Sequence, residues 1–429
     1  MSKKDIPREF DDRYRSRREK QNAKRVIDEL SGLEQDQLKN LRAISGRPDA
    51  MRYFEDILSA DKRQKQIADS GVKVIGVYCN FAPEELIHAA GAACVRLCSG
   101  LPSSASFAEE ILPRDVCPIV KSCFGTLVGG VGITAKCDAV IVPASCDGKR
   151  KLAAVMNDYV DVWTVDLPFR RDYAYDMSKW VEETRIIRAR IEDVTGKRIK
   201  FKDLQKSIKI YHRRTEVFRE LTKLRERYPH ILSGRDMMLV TNSSFIDSVE
   251  NWTAAVELLI RELKNMAEKQ PSVPSGFLPV VLTGSPVMWP NWKVLNILEE
   301  AGISVVADTL CSGTQRLYDP VQVDEWTEEG MIRALALRYF SASLCPCFTD
   351  SADMIDRVLE LAQDYRACGI VSHNLRLCQL IDMDTVRLRN VLRGKSIPFL
   401  SIHTDLAMED REQIKTRVEA FIEMVQSGV

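Results

Sequence analysis

Short continuous apolar runs recur along this chain, where a half-exposed sheet would show alternation. Residues 72–78, 139–144, 160–165, 279–283, 303–307, 369–372 and 398–402 each read as a strand buried on both faces. Most are followed by a helical pattern, the signature of parallel sheets built from crossover units. The first run leads through CNFAP into PEELIHAAG, where Pro83 presets φ and Glu84 and Glu85 meet the positive end of the helix dipole. Gly91 is placed to end that helix. Upstream, Val26, Ile27, Leu30, Leu33 and Leu38 fall at helix-like spacing in a charged segment. Between about 172 and 265 the chain is amphipathic and charged, with no convincing strand, and QPSVPSGFLP then reads as a linker. The expected organisation is a helical N-terminal arm (1–70), a first α/β lobe (71–170), a helical insertion (171–270) and a second α/β lobe (271–429). The lobes are alike in pattern without a strong sequence repeat.

A length of 429 residues is too great for one ordinary core and supports such a division. Lys+Arg and Asp+Glu both total 61, which argues against a dominant nucleic-acid or membrane partner. The opening MSKKDIPREFDDRYRSRREK has no apolar core of a signal peptide, and no stretch approaches the roughly 18 apolar residues of a membrane span. A cytoplasmic protein is expected, with its 12 cysteines reduced.

Six of those cysteines change the picture: Cys79, Cys117, Cys146, Cys311, Cys345 and Cys378 lie at the ends of expected strands or in the turns after them. The C-terminal edge of a parallel sheet is where open α/β folds build their sites. Thiols gathered there suggest a metal or an iron–sulfur centre. The competing reading is buried thiols or a single redox-active cysteine, and spacing alone does not decide, because no CxxC pair occurs. Cys94, Cys98, Cys123, Cys137 and Cys368 read as small buried hydrophobes. Cys79, just before a helix start, is well placed for a lowered thiol pKa.

Other chemistry is sparser. CDGKRK places Lys149, Arg150 and Lys151 near a helix start, either as a phosphate site for a cofactor such as CoA or as a solvated basic turn. GTLVGGVGIT lacks the strand–GxGxxG–helix context and GK[ST], so neither flavin nor nicotinamide is expected. His373, at a strand end, is a candidate acid–base group, as is Glu84 near Cys79, although core hydrogen bonding and helix-start stabilisation explain them equally well. No GxSxG elbow supports a serine hydrolase.

CNFAPEELIHAAGA, DVCPIVKSCFG, SCDGKRK, TGSPVMWPNWKVLNILEEAGISVVADTLCSGTQ and the ending RLCQLIDMD…SIPFLSIHTDLAMEDREQIKTRVEAFIEMV resemble the 2-hydroxyacyl-CoA dehydratase family. That superfamily includes benzoyl-CoA reductase subunits and double-cubane-cluster reductases. The resemblance runs from about residue 70 to the end and implies two flavodoxin-like (Rossmann-like) lobes holding an iron–sulfur cluster between them. It carries the three-cysteine set of a [4Fe-4S] cluster onto Cys79, Cys117 and Cys378. In double-cubane relatives, six cysteines hold an [8Fe-9S] cluster; Cys146, Cys311 and Cys345 would be the added ligands, with Cys347 a rival for Cys345. It further implies an ATP-dependent iron–sulfur activator as electron donor, an acyl-CoA substrate reduced to a ketyl radical, and a sibling subunit or a homodimer. Two alternatives stand beside a dehydratase or benzoyl-CoA-type reductase subunit. One is a homodimeric double-cubane reductase of small unsaturated molecules, the other a non-catalytic scaffold subunit with structural thiols.

Overall fold

The computed structural model describes residues 17–59, 66–67, 69–168, 170–341 and 343–427. Its eight strands form two four-stranded sheets. The first contains β1 (Val74–Val77), β2 (Ala93–Arg96), β3 (Ala139–Pro143) and β4 (Val162–Val165), in the order β2-β1-β3-β4. The second contains β5 (Leu278–Gly284), β6 (Ile303–Asp308), β7 (Gly369–Leu375) and β8 (Phe399–Thr404), in the order β6-β5-β7-β8. Every strand pair is parallel. The same order thus occurs twice, and in each sheet the chain reverses its direction of winding between the two central strands. That reversal opens a crevice at the carboxyl edge, between β1 and β3 and again between β5 and β7.

The continuous apolar runs are explained by burial: every residue of β1, β3 and β7 is buried. β2 was not among the expected strands. Its sequence, ACVR, is short, its first two residues are only partly covered, and its place is set by pairing with β1.

Between the sheets run four helices, Tyr173–Thr195, Phe201–Arg227, Gly234–Ser243 and Val249–Lys269. Asp172, Ser233 and Ser248 cap three of them by accepting backbone N–H groups, and Gly196 ends the first in a left-handed conformation. The helices are built into the body of the molecule. Phe218, Trp252 and Leu263 share a core with Leu282 and Ile402 of the second sheet. Trp180 and Ile187 share another with Ile75 of the first sheet and with Tyr339 and Phe340 on the helix Glu328–Ser341. The first helix, Arg17–Arg42, lays Val26 against Leu101, Phe107 and Val131, while Gln37 exchanges two hydrogen bonds with Asn296 of the second lobe. No described helix is long and apolar enough to cross a membrane.

Candidate functional site

Residues at the carboxyl edges of the two sheets meet, Cys117 with Cys378 and Asn80 with Gln315. Cys79 follows β1 in a left-handed backbone conformation (φ 56°) that a side-chain-bearing residue seldom adopts. Arg96 at the end of β2 donates to its carbonyl oxygen. The Cys79 Sγ receives the Lys149 Nζ at 2.7 Å and lies 3.5 Å from the Ser145 hydroxyl. Cys146 caps the helix Asp147–Met156, its Sγ accepting the Lys149 N–H at 3.4 Å. Cys117 and Cys378 occupy the cap positions of the helices Pro118–Val128 and Gln379–Gly394, one from each lobe.

These last two thiols form a coupled pair. Cys378, as donor, draws Cys117 down to about 6, with help from the Val120 and Ile119 N–H groups at the helix start. Cys378 is pushed up in return. Cys146 is raised by burial and feels the charges of Cys79 and Cys117. Cys311 is raised by burial and by Cys79, and Cys345 by its neighbour Cys347. Lys149 is the cation of this interior. Burial would strip its proton, yet its interactions with the Cys79 and Cys98 sulfurs hold its pKa above the ordinary lysine value.

Behind Cys79 lies a second charged layer. Glu84 is buried and receives Arg316 Nη1 at 2.7 and 2.8 Å, Arg214 Nη1 at 2.7 Å and Arg96 Nη2 at 3.4 Å. The three arginines come from the second lobe, the helical insertion and the first lobe respectively. Arg96 and Arg316 flank the Phe245 ring at 5.4 and 5.3 Å. Asn80 donates to Gln315 at 2.7 Å, which ties the residue after Cys79 to the helix that follows Cys311.

Several candidates have environments that local sequence does not reveal. Lys149 is turned inward onto sulfur, so the basic turn does not present it to a phosphate at the surface; Arg150 faces outward, 3.7 Å from the exposed Asp147. Glu84, locked between guanidiniums, balances charge and is a poor proton donor. His373 is buried, its Nδ1–H donating to the Ser285 carbonyl at 3.1 Å, and burial lowers its pKa to about 4. Arg96, Arg214 and Arg316 escaped the reading of the sequence; Cys98, expected there as a small buried hydrophobe, pairs with Cys123 and is thereby lowered to about 5. Cys98 sits just beyond β2, so recognising that strand would have placed it with the other edge cysteines.

Among the described residues, no three His, Cys, Asp or Glu side chains close on a single metal ion. The thiols arrive instead as spaced groups. That arrangement suits a polynuclear centre, whose ligands bind separate iron atoms.

Two parallel-sheet lobes of one strand order, joined over a thiol-rich interior, define a two-lobed open α/β protein with its site at the lobe interface. The chain belongs to the family of the 2-hydroxyglutaryl-CoA dehydratase D-component, whose model matches residues 79–425. It is 28% identical over 375 residues to YjiM of Escherichia coli (strain K12), whose name places it among dehydratase subunits; the match covers 84% of this chain and 93% of that one. It is 24% identical over 379 residues to the (R)-phenyllactyl-CoA dehydratase beta subunit of Clostridium sporogenes, covering 86% and 97%. It is also 24% identical over 359 residues to a benzoyl-CoA reductase subunit of Thauera aromatica, covering 81% and 89%.

Proposed function

We propose that this chain is the iron–sulfur subunit of a 2-hydroxyacyl-CoA dehydratase or benzoyl-CoA-type reductase, with Cys79, Cys117 and Cys378 holding a [4Fe-4S] cluster. The observation that carries the reading is the meeting of Cys79 sulfur with a buried cation, Lys149, whose field reaches Cys117, while Cys117 and Cys378 share a hydrogen bond across the lobes. A buried ammonium costs several kcal/mol unless an anion meets it, and a thiolate-bound centre supplies that anion. Such a centre, when bound, supplies low-potential one-electron chemistry toward a thioester. The chain's own residues do the rest: Arg96 and Glu84 fix the Cys79 backbone, the helix N-terminus behind Cys117 favours its thiolate, and the packed lobes exclude water. The partners that fit are a sibling subunit, an ATP-dependent iron–sulfur activator and an acyl-CoA, in the cytoplasm.

Cys146, Cys311 and Cys345 favour a second reading, an [8Fe-9S] double cubane. Cys146 lies in the field of Cys79 and Cys117, and Cys311 in that of Cys79 and Cys345. Iron and acid-labile sulfide per chain on anaerobically purified protein separate the readings. About four irons support the single cubane and about eight the double one. A folded, colourless, iron-free protein sinks both. Cys378→Ser should lose the cluster while both lobes stay folded.

A further inference from the structure

Beside the thiol-lined interior lies a cavity of about 120 Å³. Leu30 and Glu34 of the first helix, Leu97 and Val131 of the first lobe, and Met288 and Trp289 of the second lobe form much of its wall. One end is closed by Arg96 and Cys98. Both touch Cys79: Arg96 donates to its carbonyl, and the Cys98 thiol accepts its N–H. The cavity therefore ends against the backbone of a proposed cluster ligand.

Its polar groups are almost all engaged. Glu34 accepts the Trp289 indole N–H at 3.2 Å, and Asn242 is fixed between the Ser312 carbonyl and the Trp289 N–H at 2.8 and 3.1 Å. Thr126 lies in a hydroxyl network with Ser99 and Ser104. Among the described residues that line the cavity Arg96 is the one cation, and its buried Nε–H has no partner. The accessible wall of the space is therefore mainly apolar, with no cation among the described residues free to meet a charged ligand. An apolar cavity of about 150 Å³ accommodates benzene, so this one suits a unit of about five or six heavy atoms.

We propose that this cavity holds the acyl chain of the thioester and selects a neutral aliphatic or aryl chain over one that ends in a second carboxylate. The assignment rests on the acyl-CoA reading above. With Arg96 already shared between Glu84 and Cys79, no lining cation is left for a distal carboxylate, and Glu34 repels it. The first helix is then part of substrate recognition, since Leu30 forms one wall.

The test is anaerobic calorimetry on the iron-loaded protein with free coenzyme A, 4-methylpentanoyl-CoA, 3-phenylpropanoyl-CoA and glutaryl-CoA. The two neutral esters should bind at least about tenfold tighter than free coenzyme A or glutaryl-CoA, the gain expected from burying a few methylenes. Leu30→Phe, on a partly exposed helix face, fills the cavity; it should abolish that gain while leaving iron content and coenzyme A affinity unchanged. Val131→Phe narrows the same space and should act alike. Glutaryl-CoA binding as tightly as the neutral esters, or a gain that survives Leu30→Phe, overturns this assignment alone. Binding of neither coenzyme A nor any ester overturns the acyl-CoA reading with it.

Discussion

Glu84→Gln tests the charged layer behind Cys79 most directly. Glutamine keeps the shape of the side chain and removes the carboxylate charge that pairs with Arg316, Arg214 and Arg96. All four residues are nearly inaccessible, with exposures of 4% for Glu84 and 2, 4 and 7% for the arginines. Burial alone would raise the Glu84 carboxyl, but Arg316, Arg214 and Arg96 outweigh it and hold the group well below its ordinary value of 4.5. It is therefore ionised at neutral pH, and the variant strands three buried cations. Removing one member of a buried ion pair costs about 3–5 kcal/mol, and this range is expected for the drop in urea-unfolding free energy, read from the midpoint at constant slope. Arg316→Met in the Glu84→Gln background removes a stranded cation and should restore at least about 1 kcal/mol relative to additivity. The pH dependence has a defined sign. With the folded pKa depressed, the contribution is complete above the unfolded value and is lost as pH falls below it; Glu84→Gln should lack that acid-side loss. A cost under about 1 kcal/mol, or strict additivity of the two changes, would refute the network.

Lys149→Met should retain iron but lower the reduction potential of the bound centre by on the order of 100 mV, because a charge-assisted hydrogen bond to Cys79 sulfur is lost. Lys149→Arg should keep most of the potential, and a potentiometric titration giving unchanged values for Lys149→Met refutes the contact. His373 is held by burial at about 4 against an ordinary 6.5. Its stabilising effect is therefore complete above the unfolded value and is lost as pH falls from 6.5 towards 4, up to on the order of 3 kcal/mol. His373→Asn, which keeps a donor towards the Ser285 carbonyl, should flatten that part of the stability profile in urea melts between pH 7 and 4. A Cβ at Gly125 would lie 1.9 Å from the Ser104 carbonyl oxygen, so Gly125→Ala should force apart the helices Pro102–Ala108 and Pro118–Val128 at a cost of about 1–3 kcal/mol. An unchanged thermal midpoint would refute it.

The strands were legible in the sequence where both faces are covered, since full burial writes an unbroken apolar run, as in β1 and β3. β2 was not, because Ala93 and Cys94 are half-covered and Arg96 ends the strand in a charge. That omission left Cys98 among the expected buried hydrophobes and Arg96 unread. Edge cysteines could be recognised from their position after strands, whereas the direction of Lys149 could not be read from CDGKRK as a charge run. It is a matter of helical phase. With Cys146 at the cap, Lys149 comes round beneath the cap sulfur and over the Tyr78 ring at 5.7 Å, while Asp147 and Arg150 pair on the outside. Arg96, Arg214 and Arg316 lie far apart in sequence on separate elements. They meet only because Glu84 joins the lobes to the insertion, a contact that leaves no local pattern.

The repeated strand order bears on which thiols do what. Cys98 and Cys311 follow β2 and β6; Cys117 and Cys345 precede the helices that lead into β3 and β7; Cys146 and Cys378 follow β3 and β7. Cysteine thus fills equivalent places in both lobes, except after the first central strand, where the second lobe has Ser285 and Pro286 in place of a cysteine. Ser285 ties the second sheet together, donating its N–H to His373 at 2.6 Å and accepting the Leu375 N–H at 2.9 Å. Cys79 instead holds a left-handed backbone secured by Arg96 and a sulfur met by Lys149. Topology therefore offers the second lobe the same ligand positions, and electrostatics separates them. Cys79 has an ammonium and Cys117 a helix N-terminus and a thiol donor, whereas Cys311 is raised by burial and Cys345 by Cys347. On the proposed assignment, an anionic centre is favoured on the first-lobe side, and Cys378, hydrogen-bonded to Cys117, would be the ligand that the second lobe contributes.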